Sequence, residues 1–265
     1  MPNDTIRILF LGDIVGKPGR KAAISFVQMQ RQNYDVILAN GENASGGKGI
    51  TPDNAQELFD AGIDGLTSGN HIWHKKDTLQ FLDASNQLIR PINYPPGTPG
   101  QGYMMIDLPY SRRLAVINLQ GRVFMDPVDC PFRSIEGILP EIKNQTSLVF
   151  VDFHAEASSE KRAMGFFLDG KVSALVGTHT HVQTNDYQIL PEGTAYISDV
   201  GMTGPHHSVI GVDSETIVNR YLSSIPQRFD VSKSSIQRID FVEIVISTLS
   251  GRAESIKGSH EFIHG

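Results

Sequence analysis

The 265-residue sequence is poor in the features that staple a chain together or anchor it in a bilayer. It contains a single cysteine, Cys130, so no internal disulfide framework can form, and the free thiol fits a reducing compartment. Cys130 lies in a Pro-Val-Asp-Cys-Pro-Phe loop, with no basic group implied beside it to activate the thiol. No apolar run approaches the roughly 18 residues needed to span a membrane. The polar opening Met1-Pro-Asn-Asp lacks the pattern of a secretory signal. A soluble, cytoplasmic protein with no membrane partner is the expectation. Positive charge is not in excess either: 23 Lys and Arg stand against 29 Asp and Glu, a formal net charge of -6. Broad nucleic-acid binding needs a basic surface, so no stable nucleic-acid partner is expected. A small phosphorylated ligand is compatible, because a bound metal supplies local positive charge that net charge hides. No linker rich in proline or charge, internal repeat or low-complexity segment divides the chain. Residues 1–265 are therefore expected to form one domain with a sizeable core.

What is present is a strand–helix alternation. Residues 6–11 read as a buried strand, 16–20 as a turn, and 21–32 as a helix. Residues 36–39 form a second strand, followed by a flexible glycine turn, Thr51 as N-cap and a helix over 52–61 that starts at Pro52. A third strand over 63–67 leads to a helix over 75–86. Such alternation argues for a mainly parallel sheet covered by helices, with ligands beyond the carboxyl ends of the strands. Residues 90–102 form an irregular Pro/Gly loop, read equally as substrate rim or as packing. A hairpin over 103–108 and 114–119 follows, then helix 134–143, strand 148–153, helix 160–167 and strand 172–176. Strand 195–198, helix 213–224 and a closing hairpin over 241–249 and 253–257 complete the chain, leaving His260 and His264 in a tail.

The strand tips carry the chemistry. Gly177-Thr178-His179-Thr180-His181 starts where an apolar run ends, and alternate histidines in such a turn can face one cleft. Asp13, Glu42, Asn43, Asn70, His71 and His154 also follow apolar runs. Asp13 and Glu42 are hard oxygen ligands, His154, His179 and His181 offer imidazole, and Asn43 and Asn70 offer amide oxygens. These suffice for two ions if one carboxylate bridges. Two divalent ions against two carboxylates leave a charge of about +2, which favours a phosphate ester and activation of a bridging water. Three imidazoles move the preference from magnesium toward iron, manganese or zinc. Lys48, His74, His206, His207 and Asp199 have weaker claims; Asp199 is read either as orienting a ligand histidine or as capping a turn.

The ordered set of Asp13, Gly41-Glu42-Asn43, Gly69-Asn70-His71, His154 and Gly177-Thr178-His179-Thr180-His181 resembles the calcineurin-like metallophosphoesterase superfamily. Gly12-Asp13-Ile14-Val15-Gly16-Lys17-Pro18-Gly19-Arg20, Asn40-Gly41-Glu42-Asn43 and Ser198-Asp199-Val200-Gly201-Met202-Thr203-Gly204-Pro205 are similar to its bacterial YmdB-like branch of cyclic-nucleotide phosphodiesterases. The resemblance covers about residues 6–249. Where the superfamily usually has a metal-binding histidine two residues after the first aspartate, this chain has Val15, and Glu42 replaces a second aspartate. The branch shares both departures. The resemblance implies an α/β layered sandwich with mixed β-sheets flanked by helices. It implies one metal held by Asp13, Glu42, Asn43 and His181, and a second by Glu42, Asn70, His154 and His179, with Glu42 bridging. Two iron ions are implied, with manganese a substitute, and so is a homo-oligomer.

His71 follows a proposed ligand, so its ring can point at substrate and protonate a leaving alkoxide. The resemblance gives it the same role. The expected activity is hydrolysis of small phosphodiesters, foremost 2',3'-cyclic nucleotides, by a metal-bridging hydroxide with His71 as general acid. Two alternatives use the same residues: a phosphomonoesterase or nucleotidase, and a nucleotide-binding regulatory protein with slow turnover.

Overall fold

A computed structural model describes residues 4–264. Its first half runs β1 (Thr5–Leu11), β2 (Asp13–Ile14), α1 (Gly16–Gln30), β3 (Val36–Asn40), α2 (Pro52–Asp60), β4 (Gly65–Thr67) and α3 (Thr78–Ala84). A hairpin of β5 (Tyr103–Leu108) and β6 (Arg112–Gln120) precedes α4 (Pro131–Lys143), β7 (Leu148–His154), α5 (Ser158–Leu168) and β8 (Ala174–Thr178). The last part comprises β9 (Gln188–Ile189), β10 (Ala195–Ile197), β11 (Met202–Pro205), α6 (Ser214–Ser223), β12 (Ile236–Ser247) and β13 (Ala253–His264).

These strands form two mixed sheets flanked by helices. The first has the order β2-β11-β12-β1-β3-β4, with β13 on β12; the second has the order β5-β6-β7-β8-β10-β9. Side-chain alternation explains the layering. In β1 and β3, Ile8, Phe10, Val36 and Leu38 point inward to meet Val116, Phe150 and Val176 of the other sheet. The intervening Leu9, Leu11, Ile37 and Ala39 point outward onto Ala22, Ala23, Phe26 and Val27 of α1. On the other flank, Val149, Val151 and Phe153 pack on Ile135, Leu139 and Ile142 of α4 and Met164 and Leu168 of α5. Each central strand therefore serves two cores, so its sequence is apolar throughout. Phe10 and Phe150 stack across the sheets with ring centroids 5.3 Å apart.

The mainly parallel expectation holds for β1, β3 and β4 and for β6, β7, β8 and β10. It fails where β12 inserts antiparallel between β1 and β11. The closing hairpin is longer than its apolar pattern indicates. His260 and His264 are not in a tail but in β13, opposite Asp240 and Ile236. β13 is mostly exposed, so it lacks the alternation that would have marked it. Residues 16–20 are the first turn of α1 rather than a separate turn. Pro18 is tolerated there because amide groups in that turn have no intrahelical acceptor. The 90–102 loop serves packing: buried Arg90 donates to the carbonyls of Pro91 at 2.9 Å, Thr98 at 3.2 Å and Pro99 at 3.1 Å. Among the described residues, no helix is long and apolar enough to cross a membrane.

Because Phe150 fills the contact between the sheets, Phe150→Ala is expected to destabilise the fold by about 3–5 kcal/mol. Denaturant unfolding of the two proteins checks this, and a loss below about 1 kcal/mol would contradict the packing.

Candidate metal centre

Strand ends from both sheets converge on one point. Asp13 is in β2, directly after β1, while Glu42 and Asn43 follow β3, and Asn70 and His71 follow β4. His154 ends β7, and His179 and His181 follow β8. Asp13, Glu42 and His154 are fully buried, and Asn43 nearly so. His179 and His181 adopt left-handed backbone conformations, φ 103° and 61°, which are strained for residues other than glycine. Gly177 lets this turn lie against β10: a β-carbon there would sit 1.7 Å from the Ser198 carbonyl oxygen. Asp199 then grips the residue between the histidines. Its Oδ2 accepts from the Thr180 amide at 3.0 Å and hydroxyl at 2.8 Å, and pairs with buried Lys161 at 2.7 Å.

All the expected ligands come together. Glu42 Oε1 lies 3.1 Å from His154 Nε2, which is also 3.2 Å from Asn70 Oδ1 and 3.0 Å from His179 Nδ1. A single ring nitrogen cannot satisfy all three. Glu42, His154 and His179 form a three-residue cluster able to hold a metal ion. Beside it, the Asn43 amide nitrogen sits 3.4 Å from Asp13 Oδ1, 3.0 Å from Glu42 Oε1 and 3.2 Å from His181 Nε2. His181 Nε2 is 3.6 Å from Asp13 Oδ1. The carboxylate and imidazole atoms gathered at Glu42, His154 and His179 fit a donor set for a cation. His71 is oriented differently: its Nδ1 is 2.7 Å from Asn43 Oδ1 and 3.3 Å from Glu42 Oε1, and its ring lines a cavity of about 430 Å³.

The electrostatics agree. Burial alone would push the Asp13 carboxyl up, but the imidazoles of His181 and His154 outweigh it and hold it below the usual range. Burial also works against Glu42, yet His154 and His71 hold it well below its ordinary value. Burial opposes the charged form of His181, but Asp13 carries its pKa up to about 9. His154 is likewise raised by Glu42 against the effect of burial. His179, desolvated and beside His154, is pushed down to about 3. The imidazoles of His154 and His181 thus favour the charged forms of the buried carboxylates, and a divalent ion bound there would supply positive charge to the same groups.

The outer nitrogen of each of the three histidines is engaged as well. His154 Nδ1 donates to Thr178 Oγ1 at 2.9 Å, and Thr178 donates to Asp152 Oδ1 at 2.8 Å. His179 Nε2 meets Glu156 Oε2 at 3.2 Å, and His181 Nδ1 donates to the Ile210 carbonyl at 2.9 Å. Such contacts fix ring orientation at metal sites. A family model described as YmdB-like protein matches residues 9–258.

The chain belongs to the YmdB-like branch of the calcineurin-like metallophosphoesterases.

This YmdB-like chain is 48% identical over 230 residues to a Bacillus subtilis protein named 2',3'-cyclic-nucleotide 2'-phosphodiesterase, covering 86% of this chain and 87% of that one. A crystal structure of a Thermus thermophilus hypothetical protein matches with TM-score 0.92 and 41% identity, covering 97% of this chain and 99% of that one. A Mycoplasma pneumoniae structure described as a novel phosphatase matches with TM-score 0.92 and 32% identity, covering 100% and 95%.

Sequence reasoning gave no supporting role at the YmdB-like site to Asp152, Glu156, Lys161 or Thr178. Asp152 carried a usable signal, since a carboxylate inside Leu148-Val149-Phe150-Val151-Asp152-Phe153 must find partners. Asp199 does not orient a histidine directly; it holds Thr180. Of the weaker candidates, Lys48 lines the cavity, His74 packs edge-on against His71, and His206 packs on His207 and Phe262.

Gly69 is where the ligands leave no room: a β-carbon would lie 2.2 Å from His154 Cδ2 and 2.4 Å from Glu42 Oε2. Gly69→Ala is expected to weaken metal affinity by about 10- to 100-fold. Elemental analysis after manganese loading checks it, and native metal content would refute the crowding.

Proposed function

We propose that this chain is a metal-dependent phosphodiesterase acting on small phosphodiesters, foremost 2',3'-cyclic nucleotides. The observation that carries the reading is the joint acceptor cluster around Glu42, with the His71 ring beside it at the floor of a cavity. The name of the Bacillus subtilis relative supports the substrate class. Asp13, Glu42, Asn43 and His181 would hold one ion, and Glu42, Asn70, His154 and His179 a second. Iron is the proposed metal and manganese its substitute, since mixed imidazole and oxygen donors suit first-row transition ions. When bound, such ions polarise phosphoryl oxygens and lower the pKa of water.

The chain's own residues do the rest. His71 Nδ1 donates to Asn43 Oδ1, which leaves Nε2 to carry the transferable proton. Within the cavity that proton passes to the ribose oxygen as its bond to phosphorus breaks and a hydroxide oxygen bonds to phosphorus in its place. Carried over from the relative's name, the leaving oxygen is O2' and the product a nucleoside 3'-monophosphate. The alternating contacts of His154, His179 and His181 with Thr178, Glu156 and the Ile210 carbonyl keep the ligand set from reorganising during the step.

A second reading, phosphomonoester hydrolysis on the same centre, is favoured by the description of the Mycoplasma pneumoniae structure as a phosphatase. We further place the protein in the cytoplasm, consistent with its lone free cysteine. Self-association is supported by the exposed apolar stripe of Val218, Tyr221, Leu222 and Ile225 on and after α6.

Chelator-stripped protein should hydrolyse 2',3'-cyclic AMP only after manganese or ferrous iron is restored, and should leave 3'-AMP intact. Cleavage of the monoester instead would move the function to the second reading. In the same assay, His71→Ala should keep its metal and lose turnover by about 10²–10⁴-fold; unchanged turnover would remove the general-acid role.

A further inference from the structure

The cavity of about 430 Å³ that opens from Asn43, His71 and His181 is chemically divided. Its polar lining residues Asn43, His71 and His181, here called the floor, belong to the candidate centre. Val15, Ile210, Val212, Val231 and Phe229 supply an apolar part of the lining, here called the wall. Val231 is fixed between glycines: a β-carbon on Gly16 or Gly47 would come within 2.9 Å or 3.1 Å of its methyl groups. The Phe229 ring is 37% exposed and carries the Arg220 guanidinium 4.6 Å from its centroid. Phe229 is among the residues lining the cavity, whereas Arg220 is not. Lys48 and Arg228 supply the remaining charge, and Arg228 is highly exposed and paired with Asp230 at 3.2 Å. Among the described lining residues, then, the wall offers apolar side chains and glycine backbone but no neutral hydrogen-bonding side chain.

We infer that this wall seats the base of the substrate and reads it by stacking on Phe229, so that all four bases are accepted, purines ahead of pyrimidines. The inference rests on the phosphodiesterase reading of the adjoining centre, because that reading puts the phosphoryl group on the floor. Stacking tolerates any base, since each presents a π-face. Strong discrimination between bases requires buried partners for their polar edges, whereas an apolar pocket separates ligands mainly by size. Purines bury more ring surface and bind better for that reason.

The test compares kcat/KM of the manganese-loaded protein for the 2',3'-cyclic phosphates of adenosine, guanosine, cytidine and uridine, with glycerol 1,2-cyclic phosphate as a diester without a base. The four nucleotides should fall within about tenfold of one another, and the nucleotide-to-glycerol ratio should drop by about 5- to 100-fold in Phe229→Ala, chiefly through KM. Phe229→Trp should preserve that ratio. A preference above about 100-fold for one base, or an unchanged ratio in Phe229→Ala, would overturn the inference. Equilibrium binding of the four nucleoside 3'-monophosphates to the same proteins separates the two claims. Binding that weakens in Phe229→Ala, with no cyclic diester cleaved, would refute the phosphodiesterase reading and keep the wall. Cleavage of all five diesters with binding blind to Phe229 would refute the wall and keep the phosphodiesterase.

Discussion

The arrangement of the centre depends on one buried carboxyl group. Asp152, on β7, is fully buried and receives hydrogen bonds from both sheets. Asn40 Nδ2 of β3 reaches its Oδ2 at 3.0 Å, the Thr67 hydroxyl of β4 bonds to the same oxygen, and Thr178 of β8 donates to Oδ1 at 2.8 Å. Elsewhere the sheets meet through apolar side chains, which set a spacing but tolerate sliding. At this end they are pinned by directional bonds, which tolerate little. Burial pushes the Asp152 pKa up to about 6, with nearby His154 and the three donors working the other way. A carboxyl so placed is costly unless every donor is in position, so it penalises any misalignment of the two sheets just beneath the ligands.

Rigidity then passes outward from that point. Thr178 transmits the position of Asp152 to the His154 ring, and the same strand end leads into the strained turn holding His179 and His181. Left-handed backbone at two nearby residues persists only where surroundings dictate it. Here the dictation comes from the absent side chain of Gly177, the grip of Asp199 on Thr180 and the Ile210 carbonyl on His181. Contacts within the chain thus hold His154, His179 and His181 in place, and strain sits where these side chains converge.

Much of this was legible in the chain. β3 and β7 are mostly apolar because each packs on both faces, Asp152 being the interior exception, and their polar tips pointed directly to Glu42, Asn43 and His154. The supports were less visible. A hydroxyl on Thr178 or a carboxylate on Glu156 looks like any polar residue near a turn; its partner is fixed by tertiary geometry rather than by spacing. The layered pair of sheets followed from the family resemblance rather than from the apolar pattern, since a strand buried on both faces shows no period that tells one face from the other. The second half of β13, beyond residue 257, escaped notice for the opposite reason, being paired on one side only and largely exposed. The wall around Phe229 draws on residues far apart in sequence, from Val15 to Val231, and no local pattern joins them.

The place of β12 in its sheet has a bearing on how the protein is made. It separates β1 from β11, so the sheet that begins at Thr5 gains its central neighbour only when residues 236–247 have been synthesised. Until then one long edge of β1 is unpaired, and pairing at such sequence distance is slow. A ribosome-bound or truncated chain that lacks residues 236–247 therefore carries the strand leading to Asp13 with an open edge, and that edge must be kept from other chains until the last fifth of the sequence arrives.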